Sequence, residues 1–84
     1  MHEAGLIEDL VKAMRERVQS IEGKGRLTKV YINLGKESHV SEDIFRFWFE
    51  NFAKETELEG VSLEVFLKDG REIAIDSVEI EEAR

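Results

Sequence analysis

The chain has no cysteine and no proline in its 84 residues. Without cysteine, disulfides, thiolate zinc sites and cysteine nucleophiles are all excluded, so no structural zinc is expected. A chain free of disulfides fits a cytoplasmic protein. Positive charge is scarce: twelve Lys and Arg stand against nineteen Asp and Glu, a net charge of −7. Nucleic acid draws its affinity from neutralised phosphates, so it is not an expected partner, and neither is an anionic membrane surface. Long apolar runs are missing too, and a spanning helix needs roughly 20 such residues. The start of the chain does not read as a signal peptide: it lacks a basic stretch, and Glu8 and Asp9 interrupt the apolar residues. The length fits one small domain, which buries about 60–65% of the surface its unfolded chain exposes.

What is present is strongly periodic. From Ala4 to Ile21, Leu6, Ile7, Leu10, Val11, Met14, Val18 and Ile21 recur at spacings of three and four, the stripe of an amphipathic helix. Glu8 stands four residues before Lys12, and Gly23 closes the stretch. Gly23-Lys24-Gly25 reads as a turn; it lacks the further glycines and the Lys-Ser/Thr end of a phosphate loop. From Leu27 to Leu34 the pattern alternates, with Thr28, Val30, Ile32 and Leu34 on one face and Lys29, Tyr31 and Asn33 on the other. Ser41 reads as an N-cap, with Glu42 and Asp43 placed to complement the dipole of a second helix running to about Glu55. Phe45, Trp48, Phe49 and Phe52 form its apolar stripe, widened by Ile44 and Phe47. Val61, Leu63, Val65 and Leu67 then alternate as a strand. Asp69-Gly70 reads as a two-residue hairpin turn, and Ile73 and Ile75 lie on the return strand. The alternation flips phase to Val78 and Ile80, which predicts a bulge near Asp76-Ser77. The expected class is α+β: two helices packed on one face of a three-stranded sheet, in the order α-β-α-β-β.

Little of the chemistry-bearing inventory is placed for catalysis. Glu3, Glu8, Asp9, Glu37, Glu42, Asp43 and Glu50 offer many carboxylates, but none stands in a context that predicts burial or a shifted pKa. The serines lack a nucleophile-elbow setting. No enzyme is expected. The start Met1-His2-Glu3 is different. A bulky second residue blocks removal of the initiator methionine, leaving a free α-amine one residue from an imidazole. The amine, the His2 peptide nitrogen and the His2 ring can close two small chelate rings on one metal. Planar nitrogen donors suit Ni(II) or Cu(II). The competing reading of His2 is an ordinary frayed terminal residue. His39, the only other histidine, reads first as an exposed loop residue and second as a supplementary ligand. The start of the first helix would approach that loop if the two helices pack antiparallel, a direction the sequence does not set. The aromatic stripe of the second helix reads as core; Phe47 or Trp48, if exposed, marks a partner surface. Tyr31 and Phe66 are placed on the sheet face that the helices leave uncovered.

Several segments together resemble a known family. These are the Met1-His2-Glu3 start running into a helix, Thr28-Lys29-Val30-Tyr31-Ile32-Asn33-Leu34-Gly35, and Ser38 with Val40. Phe45-Arg46-Phe47-Trp48-Phe49-Glu50 follows, then Thr56 to Val65 with Glu59-Gly60, and Ile75-Asp76-Ser77-Val78-Glu79-Ile80. In this order they resemble the HypA family of hydrogenase nickel-incorporation proteins, metallochaperones for nickel enzymes. Members of that family carry a zinc domain with two CxxC pairs between the last two strands. Here Lys68-Asp69-Gly70-Arg71 stands in its place, and the expected arrangement is a single nickel-binding domain, residues 1–84, with a hairpin near 68–71. The resemblance suggests a shortened form, natural or engineered. The family often has Gly-Glu-Leu-Ser where this chain has Gly35-Lys36-Glu37-Ser38, and often an acidic residue where this chain has Ser41.

The resemblance implies Ni(II) held by the His2 imidazole and backbone nitrogens at Met1 and His2, with Glu3 in support. His39 and Ser41 are the supplementary candidates. The implied partners are a maturation GTPase of the HypB type and a hydrogenase large subunit or urease maturation proteins. Glu3, Glu8, Asp9, Phe47 and Trp48 are the candidate contact residues. A homodimer through the uncovered sheet face or an exchanged terminal strand is a further expectation. The alternative reading is a non-catalytic interaction or regulatory module without independent metal delivery.

Overall fold

The structure, a computed structural model, describes residues 3–20 and 25–82. Five elements follow in the expected order: α1 (Glu3–Ser20), β1 (Gly25–Gly35), α2 (Glu42–Ala53), β2 (Ser62–Lys68) and β3 (Ile73–Glu82). Ser41 caps α2 as expected, its hydroxyl accepting from the Ile44 N–H at 3.2 Å. The helix stops at Ala53, two residues earlier than the spacing predicts. Lys54 swings out to an extended ψ of 135°, and Glu55 adopts a φ of +64° that no helix continues.

The hairpin expectation fails. The strand order is β2-β1-β3, with β2 parallel and β3 antiparallel to β1, so the last two strands never pair. The reason lies upstream of the turn. β1, α2 and β2 form a strand–helix–strand unit, and such a connection returns a strand parallel to the first. The Asp69-Gly70 turn must therefore arc across the end of β1 to reach its far side, a span of about 10 Å for two interstrand spacings. Gly70 supplies the positive φ (+104°). The arc is tied to β1: the Gly35 N–H donates to the Glu72 carbonyl (2.8 Å), Lys36 N–H to Lys68 (2.8 Å) and Glu37 N–H to Gly70 (2.9 Å). The Glu37 carboxylate in turn accepts from the Gly70 N–H at 2.6 Å.

The bulge is where the phase flip predicts it. Tyr31 pairs with Ser77 but Ile32 with Ile75, leaving Asp76 as the extra residue. A second irregularity, at Thr28 between Leu27 and Lys29, puts Leu27 rather than Thr28 into the core. With both bulges, Val30, Ile32, Leu34, Leu63, Val65, Ile73 and Ile75 share the face under the helices. Ile7, Val11 and Met14 of α1 and Phe45, Phe49 and Ala53 of α2 close over them.

The neighbours of each helix fix its direction. The first half of α1 (Leu6, Asp9, Leu10, Ala13) lies along Arg71–Ala74, and its second half (Met14, Arg17, Val18) along Ile75, Val78 and Ile80. The end of α2 (Phe49, Ala53) lies against Leu58–Val61, which lead into the start of β2. Both helices thus begin at the Gly35 end of the sheet and run the same way. The antiparallel arrangement is not needed to bring the start of α1 toward the His39 loop; parallel helices bring both to one end.

Candidate metal centre

Met1 and His2 lie outside the described residues, as does the side chain of Glu3; the Glu3 backbone opens α1. One turn inward, Ile7 is fully buried, and Val11 and Met14 follow it into the core. That buried stripe fixes where the helix start points.

The loop from Lys36 to Ser41 sits at the same end. Val40 is buried and its N–H donates to the Ser38 hydroxyl at 3.3 Å, which pins the loop between two polar residues. His39 is exposed, with a left-handed φ of +66°. A non-glycine residue there is uncommon, although His is among the residues enriched in that region. The Ser41 hydroxyl serves as the α2 cap. Glu42 is held by Arg46 at 2.9 Å, and Glu37 by the Gly70 amide. Among the described residues, no three His, Asp or Glu side chains converge in a way that could hold a metal ion. His39 and Ser41 share the loop before α2 without forming a ligand set there.

The candidate contact residues divide between two sides. Asp9 lines a groove of about 490 Å³ between α1 and the start of β3, together with Leu6, Leu10 and Arg71. Glu8 is exposed on the same helix. Phe47 is 58% exposed and lines a different groove, of about 550 Å³, between α2 and the segment entering β2. Trp48 packs against the core, edge-on to Phe47 (5.2 Å) and stacked with Phe52 (5.7 Å). Phe47 is thus the exposed aromatic, and Trp48 is its support.

The uncovered sheet face carries Tyr31 and Phe66 as expected, stacked at 6.0 Å with ring planes 2° apart. Lys29 lies 5.2 Å over the Tyr31 ring and 3.8 Å from Glu64. The Tyr31 hydroxyl donates to Glu79; that bond, then burial, raises the phenol above its ordinary pKa. Asn33 donates to Asp76 at 3.2 Å. The face is polar, and these groups are bound to one another, but the Asn33 Oδ1 is buried without a hydrogen-bond partner. Sequence reasoning passed over Arg46. Its guanidinium holds Glu42 and donates to the Leu63 carbonyl at 2.9 Å, covering part of the outer edge of β2. The i,i+4 spacing of Glu42 and Arg46 announces the ion pair but not the reach to the strand.

Comparison with known proteins gives a consistent result. Residues 1–71 match the family model described as HypA, hydrogenase/urease nickel incorporation, metallochaperone. A hydrogenase maturation factor HypA from Crocosphaera subtropica (strain ATCC 51142 / BH68) is 31% identical over 71 residues, 84% of this chain and 59% of that protein. The chain thus spans little more than half the length of this curated relative. The solution structure of the Ni metallochaperone HypA from Helicobacter pylori is similar in fold. Its TM-score is 0.64 at 18% identity, over 100% of this chain and 72% of that one. The family match stops at Arg71, inside the arc between β2 and β3, whereas the similarity of fold extends through β3.

Proposed function

The chain belongs to the HypA family of hydrogenase/urease nickel-incorporation metallochaperones, and from that premise we propose that it is a nickel-carrying domain serving nickel-enzyme maturation. The family's description is that of a carrier rather than a catalyst. The observation that carries the proposal is the start of the match at Met1, taking in His2 and Glu3, on a chain whose first helix opens at Glu3. The Met1 α-amine, the His2 peptide nitrogen and the His2 imidazole hold Ni(II), with Glu3 beside them. Three nitrogen donors leave one planar position for the acceptor's ligand, so exchange begins without unfolding the carrier. The donors must be deprotonated, so binding releases protons and weakens as pH falls. His39, at the same end of the fold, is the available supplementary ligand. A maturation GTPase of the HypB type is the proposed first partner, with hydrogenase or urease maturation proteins beyond it, in the cytoplasm. No described helix is long and apolar enough to cross a membrane. The cysteine-free arc at Lys68–Ile73 takes the place of the zinc domain in this account.

A second reading is favoured by one observation: Phe47 stands 58% exposed on α2. In that reading the chain docks on maturation proteins without delivering metal. The experiment that separates the two follows nickel from the loaded chain to a metal-free GTPase of the HypB type. The carrier reading predicts faster transfer than from a small chelator of equal affinity, and its loss in His2→Ala. Binding of the GTPase with no His2-dependent transfer would leave the docking module.

A further inference from the structure

β3 is an outer strand, so one of its backbone edges faces no other described strand. Within a strand, the N–H and C=O of one residue point to the same side, and the side alternates along the chain. The Glu79 carbonyl accepts from the Thr28 hydroxyl of β1 at 3.2 Å. A Cβ on Gly25 of β1 would lie 2.7 Å from the Glu81 carbonyl. Glu79 and Glu81 therefore address β1, and the backbone groups of Val78 and Ile80 address the outside.

The two faces of this edge differ. On the helix side, Val78 and Ile80 are each 42% exposed and line a groove of about 390 Å³ with Met14, Val18 and Leu27. Arg17 lines the same groove, so a side chain entering it is apolar rather than cationic. On the uncovered face stand the carboxylates of Asp76, Glu79 and Glu81, beside Asn33, Tyr31 and Arg26 of β1. Glu82 adds a fourth carboxylate, and β3 carries no cation. The neighbours leave this charge in place. Asn33 and Tyr31 offer neutral donors to Asp76 and Glu79. Arg26 meets Glu81 at 3.4 Å with the two side chains 77% and 69% exposed, and such a pair is worth little. A second copy of this strand would meet like charge, the usual protection of an edge. A strand of opposite charge is attracted to it.

We propose that the β3 edge from Ser77 to Glu81 takes an extended cationic segment of another protein as a fourth strand, antiparallel to β3. In that segment apolar residues alternate with Lys or Arg. The apolar residues stand opposite Val78 and Ile80, exchange backbone hydrogen bonds with them and enter the groove. The cationic residues stand opposite Ser77, Glu79 and Glu81, in the close non-hydrogen-bonded positions where side chains approach most nearly. Main-chain bonds supply the affinity of such an added strand, and its alternate side chains supply the specificity. The acidic row thus does two things at once: it turns away copies of this chain and selects a partner of the other sign.

The test needs no metal, so it succeeds or fails independently of the nickel proposal. A synthetic decapeptide of alternating Val and Lys is titrated into the ¹⁵N-labelled whole chain. The amide shifts should concentrate in β3, and the Val78 and Ile80 amides should gain protection from hydrogen exchange. N-methylation of the peptide's valines keeps its charge and apolar side chains but removes the N–H groups aimed at β3. It should weaken binding about thirtyfold, the loss of two hydrogen bonds. Glu79→Lys and Glu81→Lys should each weaken binding about fivefold, and thermal melts verify that each variant folds. A peptide of alternating Val and Glu should not bind. Absence of binding by the Val-Lys peptide would overturn the proposal. So would an N-methylated peptide that binds as tightly, or shifts centred away from β3, either of which marks unspecific charge attraction.

Discussion

The two ends of the sheet are held in different ways. At the Gly35 end, three backbone hydrogen bonds and the Glu37 carboxylate tie the arc between β2 and β3 to the end of β1. At the Gly25 end, β1 starts beside the tail of β3, where Val78 and Ile80 are each 42% exposed over a groove of about 390 Å³. Its ion pair, Arg26 with Glu81 at 3.4 Å, is exposed and worth little. The starts of both helices and the His39 loop all sit at the tied end. α1 opens at this tied end, and Ile7 is fully buried one turn in, so the nickel ligands proposed above lead into an anchored helix start.

Glycine substitutions at the two ends should differ most. A Cβ at Gly35 would lie 2.4 Å from the Gly70 carbonyl oxygen and 2.8 Å from that of Glu72, both backbone atoms tied in place. Gly35→Ala should therefore lose about 3 kcal/mol in urea unfolding. A Cβ at Gly25 meets the Glu81 carbonyl and the Ile80 side chain at 2.7 Å, which is also too close. There the end of β3 can shift outward, and Gly25→Ala should lose about 1 kcal/mol. Equal losses would break the comparison between the ends.

The smallest effect concerns Arg15 and Glu57, joined at 2.5 Å on the surface between α1 and the segment after α2. The hydrogen bond from Arg15 holds the Glu57 carboxyl below its ordinary pKa. A depressed folded-state pKa contributes stability above the unfolded value, near about 4.3, and loses it as pH falls through the lower folded value. The melting temperature of Glu57→Gln should fall below the parent's by a small margin at neutral pH, and the two should converge in acid. Both groups face solvent, so a large margin would mean that the ion pair is better shielded than the structure shows.

Much of this was legible in the residues, for a physical reason. Helical and strand periods are local, so Leu6 to Val18 and Val61 to Leu67 announce their elements without help from the rest of the chain. The bulge at Asp76 was legible because it leaves a phase slip in Ile73, Ile75, Val78 and Ile80. The strand order was not. Asp69-Gly70 is a strong local signal for a hairpin, and it was overridden by the parallel return that β1, α2 and β2 impose from further away. The direction of the helices was not legible either, because it too is set by the parallel return. Of the candidate site, Ser41 as a cap was readable from spacing, whereas Ile44 and Phe47, expected to widen the apolar stripe, are 45% and 58% exposed. Arg46 was not readable, because its partner Leu63 is brought to it only by the fold. Met1, His2 and Glu3 stand as a reading of the residues together with the family they belong to.

The most direct test of the nickel site is an optical titration of untagged protein with its native α-amine. The same titration is run on His2→Ala and on a variant carrying one extra N-terminal residue. The account predicts one equivalent of Ni(II) bound as a planar, diamagnetic complex in the native chain and lost in both variants. Undiminished binding in the extended variant, or none in the native chain, would contradict it.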